Sequence, residues 1–283
     1  MKKIIILLVA LTMVAGFTFA EDIGLTAGLE FGLNAVNKPN GTDDMYPYLM
    51  PYVYYENSFL DGALDLYTEL DYTFGFTKDA DDNFPMDLWW DLALGYNLSL
   101  GSASNLTFLA ENELGIEFVE KMGDTLWGIF RPGVKFSQGI DNVGDLYGQI
   151  DVPIGYGDDD ILLGLDITAG WASTFGLGLK AKAHMLFMPD YLDTGFTGID
   201  IKATYSSGPL YGEVEFRIAK EINSYFPSSY FDGSYFKGGF AIIPKFQYTI
   251  IPNLNAYIKC AFGGIGSDGD IVISPALGVT YSF

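Results

Sequence analysis

The sequence predicts an all-β chain, a closed antiparallel up-and-down transmembrane β-barrel of about 14 strands (12–16), on three observations. Hydrophobic residues make up 49% of the chain, yet beyond the N-terminus they are dispersed singly at alternate positions. The alternating segments are about ten residues long, the length of a tilted strand crossing a bilayer. The linkers between them alternate between longer and shorter, as they do in barrels with long loops at one mouth and tight turns at the other.

The N-terminus comes first. Lys2 and Lys3 precede an apolar run from Ile4 to Val14, and Thr18-Phe19-Ala20 offers a small-x-small cleavage site. This layout predicts a secretory signal peptide over residues 1–20, with one barrel domain over 21–283. The apolar run is too short to anchor the chain as a membrane helix. The formal net charge is −21, and removing Lys2 and Lys3 makes it more negative, which excludes nucleic acid as a partner. The single Cys260 cannot form an internal disulfide.

In the first strand, Ile23, Leu25, Ala27, Leu29, Phe31 and Leu33 share one parity and Gly24, Thr26, Gly28, Glu30, Gly32 and Asn34 the other. Period two puts each set on its own face. A tyrosine-rich segment at 45–56 follows. Pro47 and Pro51 fall on one parity and cannot donate ladder hydrogen bonds, so its inward face stays open. The simpler phase exposes Tyr46, Tyr48, Tyr52 and Tyr54 to lipid. In 63–76, Leu64, Leu66, Leu70, Tyr72, Phe74 and Phe76 oppose Asp65, Glu69, Asp71 and Gly75. In 86–100, Leu88, Trp90, Leu92, Leu94, Tyr96 and Leu98 oppose Asp87, Asp91, Gly95 and Asn97. In 105–118, Leu106, Phe108, Ala110, Leu114, Ile116 and Phe118 oppose Thr107, Glu111, Glu113 and Glu117. Alternation recurs at 125–137, 145–156, 161–171, 175–188, 198–205, 210–221, 236–250, 254–263 and 271–283. An even strand count with tight turns on the periplasmic side places both termini there.

A soluble sandwich also alternates, but the polar faces here hold too many charges for a dry core. Reversing the sheet solves this: apolar residues meet hydrocarbon and polar residues line water. The barrel must close, because lipid tolerates no open sheet edge. Aromatic residues, 16% of the chain, gather towards strand ends, as in the girdles of membrane barrels.

The last strand alternates through Ile271, Ile273, Leu277, Val279, Tyr281 and a terminal Phe283. This resembles the C-terminal signature of bacterial outer-membrane β-barrel proteins, and the whole chain resembles monomeric fourteen-stranded porins. The resemblance implies an outer membrane of Gram-negative type, with outer-membrane lipid as surroundings. It also implies a barrel-insertion machinery that reads Tyr281 and Phe283, and a channel for passive diffusion of ions and small polar solutes. A non-conducting structural or adhesin-like barrel is the alternative. A fatty-acid transporter would share the strand number, but a start at about Ile23 leaves almost no room for an N-terminal hatch. Inward tyrosines at 45–56 would resemble the aromatic track of sugar-specific porins.

The predicted lumen is charge-segregated. Glu30, Asp65, Glu69, Asp71, Asp87, Asp91, Glu111, Glu113 and Glu117 form an acidic wall with no lysine or arginine. Arg131, Lys135, Lys180, Lys182, Lys202, Arg217, Lys237, Lys245 and Lys259 form a mainly basic wall that also holds Asp151, Asp166, Asp200, Glu213 and Glu215. Such walls set selectivity in a pore, here with a cation preference, or else pair across a closed lumen and only stabilise it.

The linker 222–235 carries Tyr225, Phe226, Tyr230 and Phe231, a candidate lid over the mouth or a rim contact. His184 is the only histidine and lies inward beside Lys180 and Lys182, which disfavour a protonated ring. No nucleophile motif accompanies it, so no enzyme activity is expected. The acidic groups Asp79, Asp81 and Asp82, and Asp158 to Asp160, lack calcium-loop spacing. No metal or cofactor is expected.

Overall fold

The computed structural model describes residues 24–37, 43–77, 86–119, 123–157, 160–187, 195–219, 239–265 and 271–283. The predicted signal peptide, Lys237 and the candidate lid residues Tyr225, Phe226, Tyr230 and Phe231 lie outside the described residues, as do Asp79, Asp81, Asp82, Asp158 and Asp159.

The strands are β1 (Leu25–Asn37), β2 (Asp43–Phe59), β3 (Leu64–Gly75), β4 (Met86–Ser99) and β5 (Ser104–Val119), then β6 (Gly123–Ile140), β7 (Gly144–Asp151), β8 (Ile154–Gly157), β9 (Asp160–Ser173) and β10 (Leu177–Phe187). They are followed by β11 (Gly195–Ser207), β12 (Leu210–Ala219), β13 (Gly239–Ile251), β14 (Leu254–Ile265) and β15 (Ile271–Ser282). All pair antiparallel in one sheet, and β15 pairs with β1, so no edge remains.

The segment expected as a single strand at 145–156 is split. Both β7 and β8 lie between β6 and β9, so they are two halves of one stave and the barrel has fourteen. The cause is a pair of prolines. Pro153 cannot donate where the stave breaks, and Pro132 faces the break from β6. Their carbonyls still accept, Pro132 from the Val152 N–H at 2.9 Å and Pro153 from the Gly164 N–H at 2.8 Å.

The open phase of 45–56 is settled by register. Pro47 faces Leu33 and Pro51 faces Leu29, both on the outward parity of β1. The prolines therefore meet lipid, and Tyr46, Tyr48, Tyr52 and Tyr54 point inward, the reverse of the simpler expectation. Pairing with β3 is skipped between Leu49↔Phe74 and Tyr52↔Asp71, where Pro51 has no N–H to give. The outer face can spare that bond more easily than the lumen can spare four tyrosine hydroxyls.

The tight turns at 60–63, 100–103, 141–143, 174–176, 208–209 and 252–253 lie at one end, with both described termini. Phe283 donates its N–H to Leu25 O at 2.9 Å there, and Ser282 donates to Asn253 O at 2.9 Å. Asn142 and Asn253 take positive φ (62° and 73°), a conformation asparagine tolerates and tight hairpins require.

The outward parity is mainly apolar and carries many exposed large side chains, with Leu29, Phe31, Ile258 and Leu277 as examples. Some of its polar groups pair with one another. The Trp90 indole N–H donates to Thr68 Oγ1 at 2.9 Å, and the Tyr156 hydroxyl donates to Asn112 Oδ1 at 3.0 Å. In hydrocarbon such groups find no water, so mutual satisfaction is what allows them.

Candidate functional site in the charged lumen

The inner wall begins with glycines that make room for tyrosines. A Cβ on Gly28 would stand 2.1 Å from Tyr52 Cζ, and one on Gly32 2.2 Å from Tyr48 Cζ. Gly170 and Tyr147, and Gly278 and Tyr257, repeat the arrangement on other staves. In each case the ring lies flat over the glycine of the neighbouring strand, covering backbone that glycine leaves bare. Four inward tyrosines thus hug the wall instead of filling the lumen.

Glu30 on β1 is the hub of this region and is 1% exposed. Tyr48 donates to its Oε1 at 2.8 Å, Tyr257 donates to Oε2 at 2.6 Å, and Lys259 Nζ lies 2.8 Å from Oε2. Tyr52 in turn donates to the Tyr257 hydroxyl at 3.3 Å. Because Tyr257 and Lys259 are on β14, these bonds pass over β15 and tie three staves at the closing seam. The lysine compensates the acidic wall at its first border.

At the other border, Arg131 on β6 holds Glu113 on β5 with its two terminal guanidinium nitrogens, Nη1 and Nη2, at 2.5 and 3.3 Å. Between the borders lie rows of carboxylates. Glu69, Asp91 and Glu113 are directly opposed across β3, β4 and β5. In the backbone register Asp87 of β4 pairs with position 117 of β5. Like charges in directly opposed positions repel. Uncharged donors supply part of the compensation. Tyr67 donates to Glu69, while Ser58 and Asn97 each donate to Asp65 at 2.6 Å. Glu111 faces Arg131 across the β5–β6 ladder.

The opposite wall is less plainly basic than its lysine count suggests, because its cations pair with acids on the same and neighbouring strands. Lys182 lies 3.0 Å from Asp166. Lys202 lies 3.3 Å from Glu213 and 3.2 Å from Glu215, and Arg217 lies 2.6 Å from Glu215. Gln149 donates to both oxygens of Asp151 at 2.9 Å. Two lysines lie over inward rings, Lys135 at 4.7 Å from Tyr147 and Lys245 at 5.0 Å from Tyr257. Lys180 is exposed and directly faces Lys202.

His184 corrects an expectation. Its same-strand lysines do not govern it. Cross-strand carboxylates do: Asp166 on β9 meets Nδ1 at 3.0 Å and Asp200 on β11 meets Nε2 at 2.9 Å. Both nitrogens need a proton to donate, so the imidazolium is the form that fits. The ring is 2% exposed, inside a network rather than beside a nucleophile.

Tyr281 and Phe283 meet edge-to-face, with 4.9 Å between ring centroids, beside the seam with β1. Among the described residues no group of three or more histidine, cysteine or acidic side chains is arranged to hold a metal ion. Cys260 lies outward with Ile258 and Phe262, as its parity predicts. Parity alone proposes which charges face inward. It does not give the carboxylate rows or the His184 clamp, which depend on register. Register was partly legible in the short turns, whose lengths fix which residues face one another.

No family model matches the chain, and no curated protein matches it. Among solved structures it is similar to the Pseudomonas putida toluene transporter TodX, with a TM-score of 0.54 and 13% identity over 94% of this chain and 91% of that one. A deltaS2 mutant of the TodX monoaromatic hydrocarbon channel gives 0.53 and 9% identity over 95% and 92%. Salmonella typhi OmpF gives 0.47 and 11% identity over 93% and 99%. At these identities the likeness to TodX is one of fold, a closed barrel, as the porin resemblance implied.

Proposed function

We propose that this chain is an outer-membrane channel for passive diffusion of ions and small polar solutes, selective for cations. The observation that carries the reading is the composition of β1 to β5. Five consecutive staves turn Glu30, Asp65, Glu69, Asp71, Asp87, Asp91, Glu111 and Glu113 inward and contain no lysine or arginine. Carboxylates in that density need water and mobile counter-ions, and a water-filled lumen inside an apolar barrel supplies both. Fourteen staves also lie nearer the open channels of larger barrels than the side-chain-filled eight-stranded ones. An ionic lumen favours polar solutes over a hydrocarbon such as the toluene of the TodX transporter. Periplasmic termini and insertion through Tyr281 and Phe283 complete the reading, and the pairing of tight turns with termini supports it.

Reconstitution in a planar bilayer under a KCl gradient tests this. Discrete conductance steps with a reversal potential on the cation-selective side are expected. The second reading, a non-conducting structural or adhesin-like barrel, draws on the interior bonds from Tyr52 and Glu30 to β14 and on the buried His184 network. Folded protein that passes no current would overturn the channel in its favour.

A further inference from the structure

One place on the mainly basic wall holds positive charge that no acid takes up. Lys180 on β10 is exposed, and among the described residues it has no ion pair and no hydrogen bond. It directly faces Lys202 of β11, and Lys182 shares its face two residues along β10. The acids on this stretch of wall are already engaged. Asp166, Asp200, Glu213 and Glu215 are held by Lys182, His184, Lys202 and Arg217. Like charges in directly opposed positions are destabilising. The chain has 36 acidic residues against 15 basic ones, so a lysine facing another lysine without a carboxylate of its own does not reflect a shortage of acids.

A hydroxyl is brought to the same spot. Register sets Tyr147 of β7, Gly170 of β9, Lys180 and Lys202 in one inward row. The Tyr147 ring lies over Gly170, with its hydroxyl 2.3 Å from the place of a Cβ there, so the hydroxyl is carried onto β9 beside Lys180. Directly opposed Cβ positions are about 5 Å apart, which leaves that hydroxyl within reach of the long lysine side chain. It makes no hydrogen bond among the described residues, and it is not one of their unpartnered polar atoms closed to solvent. From β6, Lys135 sets its Nζ over the same ring, 4.7 Å from the centroid, and it too has no carboxylate partner among the described residues. An ammonium group offers donors and no acceptor, and a phenol O–H donates as well. Donors and positive charge converging on a solvent-open position suit a group with several acceptor oxygens and negative charge, and lysines hold such groups as point charges.

We infer that the Tyr147–Lys180 position, flanked by Lys135 and Lys202, binds the phosphate or carboxylate group of a solute in the lumen. The inference rests on the channel reading and narrows its solutes to polar molecules that carry such a group. The acidic wall sets the preference among simple salts, while this position gives an oxyanionic group a foothold on the other wall. Binding is read without current, by calorimetric titration of the folded, detergent-solubilised barrel at an ionic strength fixed with KCl. Inorganic phosphate and succinate are the two oxyanion probes, and 1,4-butanediol is the neutral four-carbon analogue.

At least one oxyanion probe is expected to bind and butanediol not to, and the tighter probe identifies the group the position takes. Lys180→Gln is expected to weaken that probe about tenfold or more, while Lys180→Arg, which keeps the charge, stays within about threefold of the parent. Tyr147→Phe keeps the ring over Gly170 and removes only the O–H, and about threefold or more should be lost. That variant changes no charge, so it separates a built position from a general positive potential, which would ignore it. Lys180 is exposed and unpaired, so both of its variants are expected to fold. Absence of binding by both probes, equal binding of butanediol, or binding that ignores either Lys180→Gln or Tyr147→Phe would each overturn the position. Binding with the expected pattern in a barrel that carries no current leaves the position standing and removes only the channel. Current without binding removes only the position.

Discussion

Tyr257 reaches over the whole of β15 to donate its hydroxyl to Glu30 Oε2 at 2.6 Å, so two staves that share no ladder are joined inside the barrel. The bond sits beside the seam where the last strand meets the first. Closure there has the longest sequence separation in the molecule and the largest loop-closure cost. A charge-assisted bond between two buried groups is well placed to offset it.

Tyr257→Phe removes that donor and leaves the ring packed over Gly278. Hydrogen bonds to charged groups contribute about 1.5–3 kcal/mol, so a loss in that range is expected. Lys259 and Tyr48 still serve Glu30, which favours the lower end. Urea unfolding followed by tryptophan fluorescence measures it, and an unchanged midpoint would show that the bond contributes nothing to closure.

Gly28 and Gly95 both face inward, yet alanine should affect them oppositely. On Gly28 the new Cβ collides with the Tyr52 ring, whose hydroxyl is tied to Tyr257, so yielding breaks that link; about 1–3 kcal/mol should be lost. On Gly95 the nearest atom is Thr107 Cγ2 at 3.4 Å, an ordinary contact. Gly95→Ala should be neutral or stabilising by about 0.5–1 kcal/mol, because alanine loses less backbone freedom. Comparing the two urea midpoints checks the tyrosine-over-glycine account.

Arg131 and Glu111 face one another at the border of the acidic wall, which makes them opposing controls on selectivity. Arg131→Gln leaves Glu113 without its guanidinium and should raise the potassium-to-chloride permeability ratio by about twofold or more. Glu111→Gln should lower it. Reversal potentials under a KCl gradient report both, and shifts of the same sign would rule out a selectivity set by this wall.

The barrel was legible in the sequence because parity is a local property. Leu29 and Glu30 declare their faces without reference to any other strand. Tyr52 did not, because the 45–56 segment has bulky residues on both parities and only the Pro51↔Leu29 pairing assigns them. The break at Val152 was hidden for a related reason, since it needs Pro132 on the neighbouring stave as well as Pro153. His184 shows the same limit at the site. Its sequence neighbours Lys180 and Lys182 suggested a neutral ring, whereas its partners Asp166 and Asp200 come from other strands. Charges two residues apart on a strand share a face, but directly opposed strands bring other charges closer.

The Asp166–His184–Asp200 clamp predicts a stability effect that depends on how it is dismantled. His184→Ala leaves two carboxylates facing a cavity, one of them Asp166 at 1% exposure. Breaking a buried ion pair by removing one partner costs about 3–5 kcal/mol. Lys182 stays on Asp166 at 3.0 Å and Arg217 lies 4.0 Å from Asp200, so the low end of that range is expected. The triple variant Asp166→Asn, His184→Gln, Asp200→Asn replaces the charges with amides that can bond to one another, at the cost of the Lys182 and Arg217 ion pairs. It should recover most of the loss, since a neutral satisfied network avoids the desolvation cost of buried ions. Urea midpoints for the two proteins decide the matter. A triple variant less stable than His184→Ala would show that the charges themselves, rather than their mutual satisfaction, hold β9, β10 and β11 together.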